Sequence, residues 1–402
     1  MKHQWKSLLL VAYVFLFIGA IVSMNDVLLP SVKEVFHLNF VQATFIQQSF
    51  YLVYLIFPIP MAYYISKYGY KNALVSALVI CSTGALLFYP AFHSASYLLA
   101  LSGVFVISVG VTLVNVAANP LAALLGDPSG SHIRVNIVQL FSRIGATLTP
   151  ILATKIIYGE SATVSFHLPY LVIGTATFLL AVGIFLSRLP AFKPAIEKGF
   201  SLSAIIRESR AYPQLFWGAI IMFFYIGADA STAGFFISYL RDPAIAGFSP
   251  DKAANYLSLY YLAATIFSFI GIYLLQFISP GRLIAMLGIG MVTLYTLAIF
   301  TVSHLNPYIM VGLGAFISIM FASIFSLSIE GAGDFTEKGS ALVNIAIVGG
   351  AVFPPIQGWI ADSKGVQVSY LVPCSCFLLI IAYGIFCDRR VGKLSPGQHS
   401  GV

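Results

Sequence analysis

Residues 189–213, LPAFKPAIEKGFSLSAIIRESRAYP, pack three prolines and six charged side chains into a chain that is 59% hydrophobic and only 9% charged overall. A stretch so polar and so interrupted is a connector. On either side the composition changes completely. A membrane-crossing helix needs about 20 predominantly apolar residues, and six such runs precede the connector, at 7–30, 42–66, 72–91, 97–125, 134–158 and 168–188. Six more follow it, at 214–240, 254–278, 282–302, 307–330, 340–361 and 367–387. The mean hydropathy of +0.92 lies outside the range of water-soluble domains. The expected fold is an all-α membrane protein of twelve transmembrane helices in two pseudo-symmetric six-helix bundles. The bundles are 1–188 and 214–387, the linker 189–213 is cytoplasmic, and 388–402 is a cytoplasmic tail.

Weak internal similarity supports the same division. Gly126-Asp127 with Val135-Asn136-Ile137 returns as Gly333-Asp334 with Val343-Asn344-Ile345, and Ile18-Gly19-Ala20 returns as Ile226-Gly227-Ala228, all at offsets of 207 to 208 residues. The first run is too long for a signal peptide, contains Asp26 and lacks a small-residue cleavage site, so it is expected to be retained. With the N-terminus inside, fifteen of the 21 Lys and Arg residues fall on the cytoplasmic side. Five, namely Lys33, Lys155, Arg241, Lys252 and Lys364, fall outside. That bias places both termini in the cytoplasm of a plasma membrane, the inner membrane of a bacterium. It also accounts for the net charge of +7 without a nucleic-acid partner.

Cys81, Cys374, Cys376 and Cys387 lie in or at the end of apolar runs with neither a disulfide framework nor metal-ligand spacing. No nucleotide loop or catalytic set is present, so neither an enzyme nor a cofactor is expected. Energy must then come from an ion gradient or from the solute's own gradient.

Charge inside hydrocarbon costs at least 2.5 to 3.5 kcal/mol, roughly, and is kept where it faces a cavity, a partner or a permeating solute. Asp26, Arg143 and Asp229 are such charges. Asp26 follows Asn25 one turn before Pro30, a proline read as ending the first span. Arg143 shares a helical face with Asn136 and Gln139 and lies roughly 16 Å deep at ~1.5 Å per residue. A guanidinium there must be satisfied because it does not deprotonate. Asp26, Asp229 and an anionic solute are its candidate partners, and a structural salt bridge between helices is the alternative. Should Arg143 engage Asp26, Asp229 is left as the acid that takes up a proton. Thr112, Asn115 and Asn119 line the fourth span, and Tyr225, Asp229 and Thr232 the seventh. Gln47, Gln48, Tyr51, Tyr54, Tyr260, Tyr261, Asn344 and Gln357 could hydrogen-bond a polyhydroxylated solute or serve as interhelical glue.

Taken together, Asn25-Asp26-Val27-Leu28-Leu29-Pro30, Pro58-Ile59-Pro60, Tyr70-Lys71, Ala117-Ala118-Asn119-Pro120, Leu125-Gly126, Arg134 with Asn136 and Gln139, Gly227-Ala228 and Ile324-Phe325-Ser326-Leu327 resemble the fucose/proton symporter family of the major facilitator superfamily. The resemblance covers about 15 to 387. It implies cation-coupled, usually proton-coupled, uptake of a monosaccharide by rocking of two bundles about a midplane site, in a protein that works as a monomer. It also implies that Asp26 is the coupling carboxylate and Gln139 a substrate contact. The chain departs from the family in having Asn115 where the second carboxylate stands, Arg143 at an uncharged position, and Asp229 where glutamine occurs.

The expected coupling residues are Asp26 and Asp229. The expected substrate contacts are Asn25, Asn115, Asn119, Asn136, Gln139, Arg143, Gln48, Tyr51, Tyr225 and Asn344. The coupling ion is a proton or sodium. Two rival readings are a carrier, importing or exporting, of a hydroxycarboxylate or siderophore-like anion held by Arg143, and a nutrient receptor that does not transport.

Overall fold

The computed structural model describes residues 2–125, 131–157, 167–187, 189, 202–275, 277–330 and 336–394, and among them there are helices and no strands. The first half contributes α1 (Lys2–Val35), α2 (Phe40–Ile56), α3 (Pro58–Leu86), α4 (Phe88–His93), α5 (Tyr97–Leu124), α6 (Ser131–Ile157) and α7 (Leu168–Leu186). A short helix, α8 (Leu202–Ser209), stands inside the expected linker, of which 190–201 lie outside the described residues. The second half begins with α9 (Pro213–Arg241), α10 (Pro250–Leu274) and α11 (Pro280–Phe300), followed by α12 (Asn306–Ile317), α13 (Met320–Ile329) and α14 (Thr336–Ile345). It ends with α15 (Gly349–Lys364), α16 (Val366–Ser369) and α17 (Leu371–Leu394). Among the described residues ten helical segments are long and apolar enough to cross a membrane, and two shorter ones, Phe40–Ile56 and Ile137–Ala153, complete the expected twelve.

Three local departures from the sequence expectation matter. Pro30 does not end the first span, because α1 runs through it to Val35. Inside a bundle, neighbouring helices and side chains satisfy the backbone groups a proline frees. Between the second and third spans the backbone is helical on both sides of Gly69, which turns the chain at φ 82, ψ 164, a conformation that glycine reaches at little cost. The tenth span is broken: α12 stops at Ile317, Ile319 sits at φ −112, ψ 1, and α13 starts at Met320. No proline or glycine marks this break.

Within a bilayer, apolar burial does not drive helices together, and small residues that allow close backbone approach do much of the work. A methyl on Gly145 would lie 2.0 Å from the Leu16 carbonyl oxygen, and one on Gly349 would lie 1.9 Å from that of Phe223. Leu16 and Phe223 are 207 residues apart, which is the offset of the sequence repeat. The α1–α6 and α9–α15 contacts therefore pair corresponding helices of the two halves, with the second glycine about one helical turn off the repeat, since Gly145 and Gly349 are 204 residues apart. Ser23 adds a bond at the first contact, donating to the Ala146 carbonyl at 3.0 Å. Pro150, four residues on, has no N–H to give to that carbonyl.

The halves meet where α2 packs on α15 and α6 packs on α10. One end of this seam, where α1 and α9 finish, is clasped. Both oxygens of Asp362 accept backbone N–H groups of the first turn of α2, from Phe40 at 2.8 Å and Val41 at 3.0 Å. Asn39 accepts from the Gln42 N–H at 2.8 Å in a capping box. The donors that a helix start normally leaves unpaired are thus shared between the two halves. Glu34 pairs with Arg241 across the same end, and Phe40 packs on Phe235 with centroids 5.4 Å apart. Deeper in the seam, Gln47 donates to the Ala230 carbonyl at 3.2 Å.

Candidate functional site

Asp26, 7% exposed, projects from α1 into the seam and accepts a hydrogen bond of 2.5 Å from the Tyr261 hydroxyl on α10. Pro30 removes the amide that would have bonded the Asp26 carbonyl, so this turn of α1 is polar in backbone and side chain alike. The neighbouring Tyr260 donates to Asp229 of α9 at 3.4 Å. Two successive tyrosines of one helix therefore each serve one carboxylate, one acid in each half. The Tyr260 and Tyr261 rings touch edge to face with centroids 5.2 Å apart. Tyr51 of α2 and Tyr225 of α9 complete the cluster: the fields of Asp26 and Asp229 reach Tyr51, and those of Asp229 and Arg143 reach Tyr225.

In this structure Arg143 bonds to neither acid among the candidate partners named from the sequence. Its Nη1 donates to the Ser268 hydroxyl at 2.5 Å and to the Ala264 carbonyl at 3.3 Å, and its Nη2 donates to the Ser318 carbonyl at 3.1 Å. All three acceptors belong to the second half. The Ser318 carbonyl is available because the tenth span breaks there, and it forms part of the negative end of the α12 dipole, a suitable seat for a cation. Charge counting along the sequence could not find this partner, since it is a neutral backbone oxygen at an unmarked break. Asp229 lies close enough for its charge to act on the guanidinium in this arrangement.

The expected amides form a chain within the first half. Gln139 donates to the Asn119 side-chain oxygen at 3.1 Å, Asn119 donates to the Asn115 carbonyl at 3.3 Å, and Asn115 donates to the Tyr54 hydroxyl at 3.1 Å. Tyr54 neighbours Tyr51 with ring centroids 6.4 Å apart, which joins this chain to the carboxylate cluster. Asn25 turns away, facing Ala85, Ile107 and Tyr170 around a small cavity inside the first half. Gln48 is half-buried and Asn344 is exposed on α14. The side chain of Asn136 lies outside the described residues, as do Gly126-Asp127 and Gly333-Asp334. A cavity of about 180 Å³ opens at the seam beside the acids, lined among others by Gly19, Ser23, Arg143, Ala146, Tyr261 and Thr265. Sequence reasoning undervalued Tyr260 and Tyr261, which were two among many aromatics, and missed Ser268 and Ser318.

A bundle of this topology with polar and charged groups gathered on the seam defines a carrier. The Major Facilitator Superfamily sequence model matches residues 9–347. The "Glucose/galactose transporter" of Brucella abortus is 34% identical over 397 residues, spanning 96% of this chain and 95% of that protein. The "L-fucose-proton symporter" of Escherichia coli is 30% identical over 390 residues, spanning 90% of this chain and 89% of that protein. A crystal structure of the Escherichia coli fucose:proton symporter in the outward conformation superposes with a TM-score of 0.71 at 28% identity, covering 94% of this chain and 98% of that one. The chain belongs to the major facilitator superfamily, in the fucose/proton symporter family that its sequence resembles. It is an integral membrane transporter and not an enzyme.

Proposed function

We propose that the chain carries a monosaccharide, a hexose of the kind in its relatives' names, into the cell together with a proton, by alternating access between 1–188 and 214–387. The observation that carries this reading is the Asp26–Tyr261 hydrogen bond. It sets an intramembrane carboxyl across the moving seam, where gaining or losing a proton changes how the halves hold each other. Asp26 and Asp229 are the coupling carboxylates. With Arg143 they sum to one negative charge when all are ionised, so one proton neutralises the interior and one proton per sugar is the natural stoichiometry.

Tyr51, Tyr225, Asn115, Asn119 and Gln139 supply the donors and acceptors that a ring of hydroxyls requires, with aromatic faces for its C–H surface. The asymmetry of basic residues supports placing both termini in the cytoplasm and the clasped end outside; the site then faces inward in this structure. The carrier works as a monomer in the plasma membrane, the inner membrane if it is bacterial. A carboxylate-bearing solute is the weaker reading, because the Arg143 fork is occupied by Ser268, Ala264 and Ser318.

The test is counterflow in proteoliposomes against glucose, galactose, fucose, an amino sugar and a hydroxy acid, with and without a pH gradient. Exchange of one or more hexoses, accelerated into accumulation by an inward proton gradient, is the expected result. Exchange of the hydroxy acid alone would refute it.

A further inference from the structure

Arg143 and Asp26 belong to the same half, and in this structure each is bonded across the seam to the other. The guanidinium docks on Ala264, Ser268 and the Ser318 carbonyl, while the carboxyl docks on the Tyr261 hydroxyl. The α1–α6 contact that carries both residues is close-packed: a methyl on Gly19 would lie 1.8 Å from the Ser142 carbonyl oxygen, and one on Gly145 would lie 2.0 Å from that of Leu16. The contact therefore moves as one piece when the halves rock, and every cross-seam acceptor of Arg143 leaves at once. A guanidinium cannot shed its charge and must find another partner.

Register on the packed helices names that partner. Gly19 abuts Ser142 and Ser23 bonds Ala146, so Asp26 lies roughly 10 Å along α1 from the level of Arg143 at ~1.5 Å per residue. That distance is within the combined reach of the two side chains. A cavity of about 180 Å³ is lined by Arg143 together with Ser23, Ala146 and Tyr261, the residue whose hydroxyl bonds Asp26.

We propose that Arg143 is a positioning residue that exchanges partners during the cycle. It is paired with ionised Asp26 while the outer face is open, and it is docked on the break of the tenth span once a proton has neutralised Asp26 and the face has closed. The inference rests on the reading of Asp26 as the proton site, and it divides the labour between the two acids. Asp26 takes the proton, while Asp229 stays as the fixed countercharge whose field meets Arg143 in the closed state. The other titratable groups facing this region are the phenols of Tyr51 of α2, Tyr225 of α9 and Tyr260 and Tyr261 of α10. Arginine, unlike a hydroxyl or amide, supplies a charge that competes with a proton for the same carboxylate.

The test uses the full-length carrier in nanodiscs with spin labels at Ser94 and His304, exposed positions on opposite halves near the clasped end. The wild-type distance should lengthen as pH rises and Asp26 ionises. Asp26→Asn should give a distance distribution that does not change with pH, Arg143→Gln should lose the pH response, and Arg143→Lys should recover it. Arg143→Met, which keeps the apolar stem, gives the same information where the amide variant fails to assemble. A wild-type pH response surviving in Arg143→Gln or Arg143→Met, with Asp26→Asn unresponsive, would overturn the partner exchange and leave Asp26 as the proton site. A pH response surviving in Asp26→Asn would overturn the coupling assignment itself.

Discussion

Removing the Asp362 carboxylate should release the outer face. Asp362 is the acceptor from the second half for the Phe40 and Val41 N–H groups that open α2. In Asp362→Ala those donors turn to water, which is close at hand because the residue is exposed. The cost is therefore that of losing a helix cap, about 1 kcal/mol, and not the sum of two buried charge-assisted bonds. It falls only on the closed state, since the bonds cross the seam. A bias of about 1 kcal/mol changes the ratio of closed to open molecules by about fivefold. The Ser94–His304 spin-label distance distribution at fixed pH reads this directly. The ratio of long- to short-distance populations should rise about fivefold in Asp362→Ala and by less in Asp362→Asn, which keeps one acceptor oxygen. Equal distributions in wild type and Asp362→Ala would refute the assignment of this contact as a latch between the halves.

Tyr261→Phe removes the hydroxyl that holds Asp26 and should weaken the closed state by about 0.5 to 1.5 kcal/mol, the range for a hydrogen bond to a neutral partner, since Asp26 is protonated there; proton-driven uptake should fall while sugar binding by tryptophan fluorescence or calorimetry persists. Ser23→Ala strips the Ala146 carbonyl of its donor and should lower the thermal midpoint through a loss of about 1 kcal/mol. Combining it with Pro150→Ala, which restores an N–H to that carbonyl, should cost less than the sum of the two changes. Gly350→Leu places side-chain atoms where a first methyl already lies 2.5 Å from the Tyr51 ring on the opposite half, so the carrier should fail to close and lose counterflow, and sugar affinity should fall as well because Tyr51 is displaced.

The fold was legible because hydrocarbon imposes a minimum length on every span, and because the Lys67-Tyr68-Gly69-Tyr70-Lys71 turn and the polar stretch at 189–213 are visible interruptions. The acids were legible for the same reason: a carboxylate such as Asp26 or Asp229 stands out in an apolar run. Their partners were not. Tyr260 and Tyr261 are unremarkable by type, and only the rotation of α10 assigns one to each half. The seat of Arg143 was hidden because the break at Ser318–Ile319 carries no proline or glycine to mark it. Pro30 misled in the opposite direction, since its lost backbone bond is tolerated inside the bundle. Asp362 looked like a loop residue and proved to cap a helix of the other half.

The central claim is that Asp26 carries the proton that drives sugar entry. Proteoliposomes loaded with a pH-sensitive dye and given an exchangeable hexose on the outside, at zero membrane potential, test it most directly. Wild-type protein should acidify the lumen in step with sugar entry, and Asp26→Asn should exchange sugar with no proton movement. Sugar entry without acidification in the wild type, or undiminished acidification in Asp26→Asn, would contradict it.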